Sequence, residues 1–176
     1  MLLKTIFAGF GGQGVMSMGL NLAEAAMLEG KNVTYLPSYG AEVRGGTANC
    51  TVAISDEDIA SPIASSPDFI VVMNQPSLVR FQNQVESGGI MFLNSSLIDM
   101  EVSRGDVEVV SIPASRMADE MGSPRSANMV MLGAFTRRTN LVSLDSVIGG
   151  LKTALKNRQK LIAINRDALT AGYDLV

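Results

Sequence analysis

The sequence contains no histidine and a single cysteine, Cys50, in 176 residues. Without histidine, the commonest general base and metal ligand is missing. An iron–sulfur cluster needs about four thiolates, so one cysteine holds no cluster. It closes no internal disulfide either, and within TANCTVAIS it reads as a small buried apolar residue. Lys and Arg number 14 against 17 Asp and Glu, a net charge of −3 with no basic run. That balance gives no general attraction to nucleic acid or anionic lipid, and neither is expected as a partner. Asp56, Glu57 and Asp58 read as an exposed turn, not as a carboxylate pair for acid–base work. No catalytic residue and no metal ligand set is expected. No apolar run reaches the ~18 residues of a membrane span. The opening MLLKTIFAGF is interrupted by Lys4 and has no A-x-A-like cleavage site. It reads as a first strand, not a leader, and the chain as cytoplasmic.

Apolar residues make up 47% and charged residues 18%, the balance of a globular protein, here read as one domain over 1–176. Leu2–Ala8 is a continuous apolar run of the kind found in sheets buried on both faces. Val15, Met18, Leu22 and Ala25 recur at helical spacing and predict a helix over Val15–Leu28, closed by Gly30. Asn32–Leu36 predicts a second strand, set beside the first and parallel to it by the crossover. Pro37–Gly46 reads as a loop. Thr47–Ser55 alternates like a strand with no helix before it, which calls for antiparallel pairing or an edge position and makes the sheet mixed. Strands are further expected over Phe69–Met73, Ile90–Asn94 and Val107–Ile112. Helices are expected over Pro76–Val85, Ala114–Met121, Ser126–Arg138, Ser143–Lys156 and Arg166–Ala171. The fold class that follows is α/β: a three-layer, Rossmann-like domain with a mostly parallel, mixed sheet.

Between the first strand and first helix lies FAGFGGQGV, where Gly9, Gly11 and Gly14 stand in G-x-G-x-x-G spacing. Such glycines permit a tight turn, approach of backbone to a phosphate, and close packing of helix on strand. The N–H groups at the helix start then favour an anion. An NAD site adds an acid about 20 residues on for the ribose, but Asn32–Pro37 contains no Asp or Glu. Close packing alone also accounts for the glycines, and both readings stand.

A second glycine-rich stretch, SYGAEVRGG, gathers Tyr39, Glu42, Arg44 and Gly45. The Arg44 guanidinium suits bidentate recognition of phosphate or carboxylate; pairing with Glu42 or with an acid across a subunit interface is the alternative. Together, GFGGQGV and YGAEVRGG resemble the gamma subunit of the 2-oxoacid:ferredoxin oxidoreductases. Asn128–Ala134 (NMVMLGA), and Asn165–Ala168 followed by Gly172–Tyr173, extend the likeness over essentially the whole chain.

The resemblance implies membership of an enzyme that cleaves a 2-oxoacid oxidatively, joins the acyl group to coenzyme A, releases CO2 and reduces ferredoxin. It implies thiamine diphosphate, Mg2+ and [4Fe–4S] clusters in partner subunits of alpha, beta and delta type, with ferredoxin reached through the complex and this chain inactive alone. It makes Gly9, Gly11, Gly12, Gln13, Gly14, Tyr39, Arg44 and Gly45 candidates for a coenzyme A phosphate contact or a subunit contact. In that scheme Gln13 positions the loop and Arg44 meets a second phosphate. The overall likeness leans to 2-oxoglutarate or a branched-chain acid. Met residues in MSM and NMVML read as core or interface filler, although Gly133 and Ala134 also suit a dimer or subunit seam, including a homodimer of the isolated chain. Lys152, Lys156, Arg158 and Lys160 read as a solvated face. A stand-alone NAD(P)-binding reductase and a purely structural interaction module are the competing functions.

Overall fold

The computed structural model describes residues 1–40, 46–156 and 158–176. Six strands form one sheet: β1 (Leu2–Phe10), β2 (Asn32–Tyr39), β3 (Thr47–Ser55), β4 (Phe69–Val72), β5 (Ile90–Asn94) and β6 (Glu108–Ile112), in the order β2-β3-β1-β4-β5-β6. β1, β4, β5 and β6 are parallel neighbours, whereas β3 runs antiparallel to both β1 and β2. The mixed sheet and the antiparallel third strand are as expected.

The expected pairing of the first two strands fails. β1 and β2 are not side by side, because β3 lies between them. The reason is burial: Ala48, Cys50, Val52, Ala53 and Ile54 of β3 are buried, while Leu36 to Tyr39 of β2 are exposed. The more apolar strand takes the interior and pairs along all nine residues of β1, from Leu2↔Ser55 to Phe10↔Thr47. β2 continues through Pro37 to Tyr39 where a loop was expected. Proline lacks the N–H that an interior ladder needs, and its place in a strand is an edge such as this one.

Helices cover the sheet unequally. On one face, Ile6, Ala8, Ile70, Val72, Met91 and Leu93 meet Leu78 and Phe81 of α2 (Gln75–Phe81), together with Ala64, Val85 and Ile98 from connecting segments. α2 is shorter than expected and passes into a 3-10 turn at Gln82–Gln84. The other face carries Phe7, Val71 and Phe92 under α1 (Val15–Leu28), α3 (Ala114–Glu120) and α4 (Ala127–Thr139). α5 (Leu144–Leu155) lies against α1, and α6 (Gln159–Leu175) against α4. α6 is far longer than the Arg166–Ala171 segment expected. Lys152, Lys156, Arg158 and Lys160 are exposed as expected, spread over the end of α5 and the start of α6.

α4 is buried at every residue from Ala127 to Thr136, an all-round burial possible only with partners on both sides. Toward the sheet, the Phe135 ring lies 5.7 Å from Phe7, 5.8 Å from Phe69 and 5.2 Å from Phe92, in tilted or edge-on contacts. Toward α6 the contact is backbone on backbone. A Cβ at Gly133 would stand 2.9 Å from the carbonyl carbon of Leu169, and one at Gly172 would stand 2.7 Å from that of Val130. The Asn128–Ala134 run is therefore core, as expected, and the close approach at Gly133 is made within the chain, to α6.

Gly172→Ala is expected to cost about 1–3 kcal/mol through overpacking, and Phe135→Ala about 3–5 kcal/mol through cavity formation. Midpoints of denaturant unfolding check both; an unchanged midpoint for Gly172→Ala would contradict the seam.

Candidate functional site

β1 connects through α1 toward β2 on one side of the sheet, while β4 connects through α2 toward β5 on the other. α1 and α2 lie on opposite faces. The crevice between the carboxyl ends of β1 and β4 is thus a switch point of the kind where α/β sheets bind ligands. The glycine loop, residues 11–14, stands over it.

Each glycine has a separate role there. Gly9 is still in β1, where a Cβ would meet Gln13 Oε1 at 2.7 Å, Val15 Cγ1 at 2.9 Å and Met73 Cβ at 3.0 Å. It is the close-packing glycine. Gly12 (φ 96°) and Gly14 (φ 75°) take the left-handed backbone that makes the turn. A Cβ at Gly14 would also stand 2.7 Å from Asn128 Cγ. Gly11 and Gly12 are exposed, with nothing within 4 Å of a Cβ at Gly12. Gly14 caps α1 with no side-chain hydrogen bond, and the first turn carries no acidic residue. The N–H groups there are open to an anion.

Gln13 holds this shape. Its Oε1 accepts from Phe10 N–H and from Asn74 Nδ2, both at 2.7 Å, and its Nε2 reaches Met73 O at 3.5 Å. Asn74 in turn caps α2 by accepting from Ser77 N–H at 2.9 Å. Asn94 Nδ2 donates to Ser115 Oγ at 2.9 Å and approaches Met73 O at 3.4 Å. Asn128 Nδ2 donates to Gly14 O at 3.2 Å. A row of carboxamides thus ties the ends of β1, β4 and β5 to the starts of α1, α2 and α3. Gly11 N–H donates to Gly46 O at 2.9 Å, bringing the end of the second glycine-rich stretch beside the first.

Tyr39 ends β2, is 71% exposed and shares a row with Ala48 and Gly9. That puts it two strand spacings, about 10 Å, from the loop. Glu42, Arg44 and Gly45 lie outside the described residues. The residues that sequence reasoning missed are Asn74, Asn94 and Asn128. Of these, Asn74 carried a signal, a capping residue two positions before Pro76.

Beside the loop a cleft of about 600 Å3 opens between the first two turns of α1, the turn 122–126, the end of α5 and the first half of α6. Ser123 and Ser126 share a 2.7 Å hydrogen bond there, and Ser126 Oγ donates to Asn165 Oδ1 at 3.4 Å.

Little here moves protons. Cys50 is buried with Sγ directed to Val15 O, and burial pushes its thiol up to about 12. Burial, then the neighbouring Cys50, pushes the Tyr35 hydroxyl up to about 12 as well. Both are neutral structural groups at physiological pH. Among the described residues no three His, Cys, Asp or Glu side chains come together as metal ligands, and no helix is long and apolar enough to cross a membrane. What the arrangement does offer is backbone N–H groups and carboxamides, held rigidly for binding.

The family model described as pyruvate ferredoxin/flavodoxin oxidoreductase matches residues 4–175. The ketoisovalerate oxidoreductase subunit VorA of Methanothermobacter thermautotrophicus is 43% identical over 174 residues, 98% of this chain and 36% of that protein. The chain thus spans about a third of the length of that relative. The 2-oxoglutarate synthase subunit KorC of Methanocaldococcus jannaschii is 38% identical over 143 residues, 80% of this chain and 76% of the relative. Among solved structures, the gamma subunit of a keto/oxoacid ferredoxin oxidoreductase from Geobacter sulfurreducens superposes with a TM-score of 0.87 at 25% identity, covering 99% of this chain and 95% of that one. A 2-oxoglutarate:ferredoxin oxidoreductase from Magnetococcus marinus, solved with 2-oxoglutarate, coenzyme A and succinyl-CoA bound, gives 0.90 at 28% identity, covering 99% of this chain and 31% of that one.

Gly14→Ala, strained at φ 75° and crowded by Asn128, is expected to destabilise the fold by about 1–3 kcal/mol. Gln13→Ala strands the Phe10 N–H and Asn74 Nδ2 donors, for about 1–3 kcal/mol. Thermal melts measure both. Cys50 is expected to react with iodoacetamide at pH 8 only as fast as the chain unfolds; rapid labelling of the folded chain would contradict its burial.

Proposed function

The chain belongs to the pyruvate ferredoxin/flavodoxin oxidoreductase family, and on that premise we propose that it is the gamma component, one domain over 1–176, of a cytoplasmic 2-oxoacid:ferredoxin oxidoreductase. The enzyme converts a 2-oxoacid and coenzyme A to acyl-CoA and CO2 and reduces ferredoxin. The observation that carries this reading is the uncapped, acid-free first turn of α1 behind two exposed glycines, in a fold shared with an oxidoreductase solved with coenzyme A bound.

Backbone N–H groups of Gly12, Gly14 and Val15 bind the pyrophosphate of coenzyme A, which needs no ribose-binding acid, while those of Gly11 and Gln13 close the loop on Gly46 and Phe10. Arg44 supplies a second phosphate contact, and Gly45 and Tyr39 remain candidates for contact with coenzyme A or a partner subunit. Gln13 touches no substrate in this scheme. Through Phe10 and Asn74 it keeps the loop from collapsing into the crevice.

The residues of this chain do not fit an iron–sulfur cluster, since the one thiol is buried inside the fold. Nor is there a carboxylate set for Mg2+ among the described residues. In this reading carbon chemistry and electron transfer fall to partner subunits of alpha, beta and delta type, which hold thiamine diphosphate, Mg2+ and the [4Fe–4S] clusters. The higher identities, to ketoisovalerate and 2-oxoglutarate enzyme subunits, favour a branched-chain acid or 2-oxoglutarate as substrate.

Anaerobic affinity purification of the tagged chain from its own cells is expected to recover a thiamine-binding subunit and a cluster-bearing subunit. The preparation should reduce ferredoxin with one 2-oxoacid in a coenzyme A-dependent manner. In that preparation Arg44→Ala is expected to raise the KM for coenzyme A about tenfold or more, with little change in the KM for the 2-oxoacid. Recovery of the chain alone, with saturable NAD(P) binding, would favour a free-standing reductase.

A further inference from the structure

Charge is spread unevenly along this chain. Between Asp145 and Asp167 lie Lys152, Lys156, Arg158, Lys160 and Arg166 with no Asp or Glu, while the remainder carries nine Lys and Arg against 17 Asp and Glu. Arg166 pairs with Asp167. Lys152, Lys156, Arg158 and Lys160 are exposed and make no ion pair among the described residues. The end of α5, the turn after it and the start of α6 bring these four to one corner of the molecule. None of the four lines the cleft beside the glycine loop.

Local stability explains only part of this arrangement. Lys152 and Lys156 suit the C-terminal end of α5, where the helix dipole favours cations. Arg158 and Lys160 stand at the opposite kind of end. Arg158 is the N-cap residue of α6 and Lys160 lies in its first turn, which has no side-chain cap and no acid. Cations there repel the positive end of a 17-residue helix. Lys156 takes a left-handed backbone, φ 41°, where glycine would sit without strain. Beside these cations Leu161 is 41% exposed.

Unpaired cations around an exposed leucine are complementary to an acidic protein face with an apolar centre. A polyanion such as RNA or an anionic membrane fits less well, because its charge extends past the corner and meets the acidic remainder of the chain. We propose that the α5–α6 corner docks an acidic face of a partner protein, with Lys152, Lys156, Arg158 and Lys160 steering it and Leu161 anchoring it. The partner is a subunit of the oxidoreductase, an identification that rests on the function proposed above.

Carbodiimide joins a lysine amine to a touching carboxylate as an amide, so peptide mass spectrometry of the treated assembly, purified on the tagged chain, reads the contact. Lys152, Lys156 and Lys160 are expected to link to Asp or Glu of one partner subunit, whereas Lys31 links within the chain to Asp56, its ion-pair partner. These links are read on the unaltered chain and depend on no variant folding. The double variant Arg158→Glu, Lys160→Glu is expected to release that subunit at about half the NaCl concentration the unaltered chain withstands. Its Tm should hold or rise, since acids suit a helix start, and the KM for coenzyme A should not change. Arg116→Glu, on α3, leaves the salt tolerance as it is. Linkage at Lys31 without intermolecular links at the other three lysines, or undiminished salt tolerance in the double variant, overturns the proposal. A raised KM for coenzyme A with undiminished salt tolerance also overturns it and assigns the cations to an anionic substrate. Links to a protein that neither binds thiamine diphosphate nor carries clusters keep the docking surface and overturn the proposed function; a chain recovered alone overturns both.

Discussion

The depth at which α4 lies sets the rest of the structure. Gly133 and Gly172 let α4 and α6 meet backbone to backbone, so α4 fits beneath α6 with Phe135 among the three phenylalanines of β1, β4 and β5. From there its first turn reaches the glycine loop, where Asn128 donates to the carbonyl of Gly14 and leaves no room for a side chain at that position. The turn that leads into α4 and the half of α6 that covers it also form two walls of the adjoining cleft. Moving α4 outward by the width of one methyl group would loosen the loop and the cleft together, because close-packed interiors do not stretch.

The chemistry gathered at this end of the sheet is that of binding. Carboxamides of Gln13, Asn74, Asn94 and Asn128 bridge strand ends and helix starts, and the start of α1 carries neither a side-chain cap nor an acid. Carboxamides hold their charge state at every physiological pH, so a site built from them is insensitive to proton concentration. This suits the anion contact proposed above, which involves no proton transfer.

Much of this was legible in the sequence, and the failures have physical causes. α1, α4 and α5 fall within a residue of their expected bounds, since a helix buried along one stripe or all round shows its period or its length directly. Local pattern does not reveal which strand wins the interior. β3 displaces β2 because of their relative burial across the whole sheet, and Pro37, taken for a loop, was in truth the mark of an edge. α6 is longer than the segment expected because its start, from Gln159, carries exposed Lys160 and Leu161, while its anchor, Gly172, has no side chain to show. The glycine loop was visible as a motif, but its support was not: Gln13 meets Asn74 across 61 residues and Asn128 meets Gly14 across 114. The likeness of the two glycine-rich stretches to a known subunit reached the family before any of that geometry did.

The central claim is that an uncapped helix start behind two exposed glycines, held open by Gln13 and Asn128, is the anion site of this chain. Backbone amide NMR of the full chain during titration with coenzyme A measures it most directly. Shifts concentrated at Gly12, Gly14 and Val15, reduced in Gln13→Ala, are the result predicted. Amides of this loop that stay unmoved while others respond would contradict the account and place the ligand elsewhere.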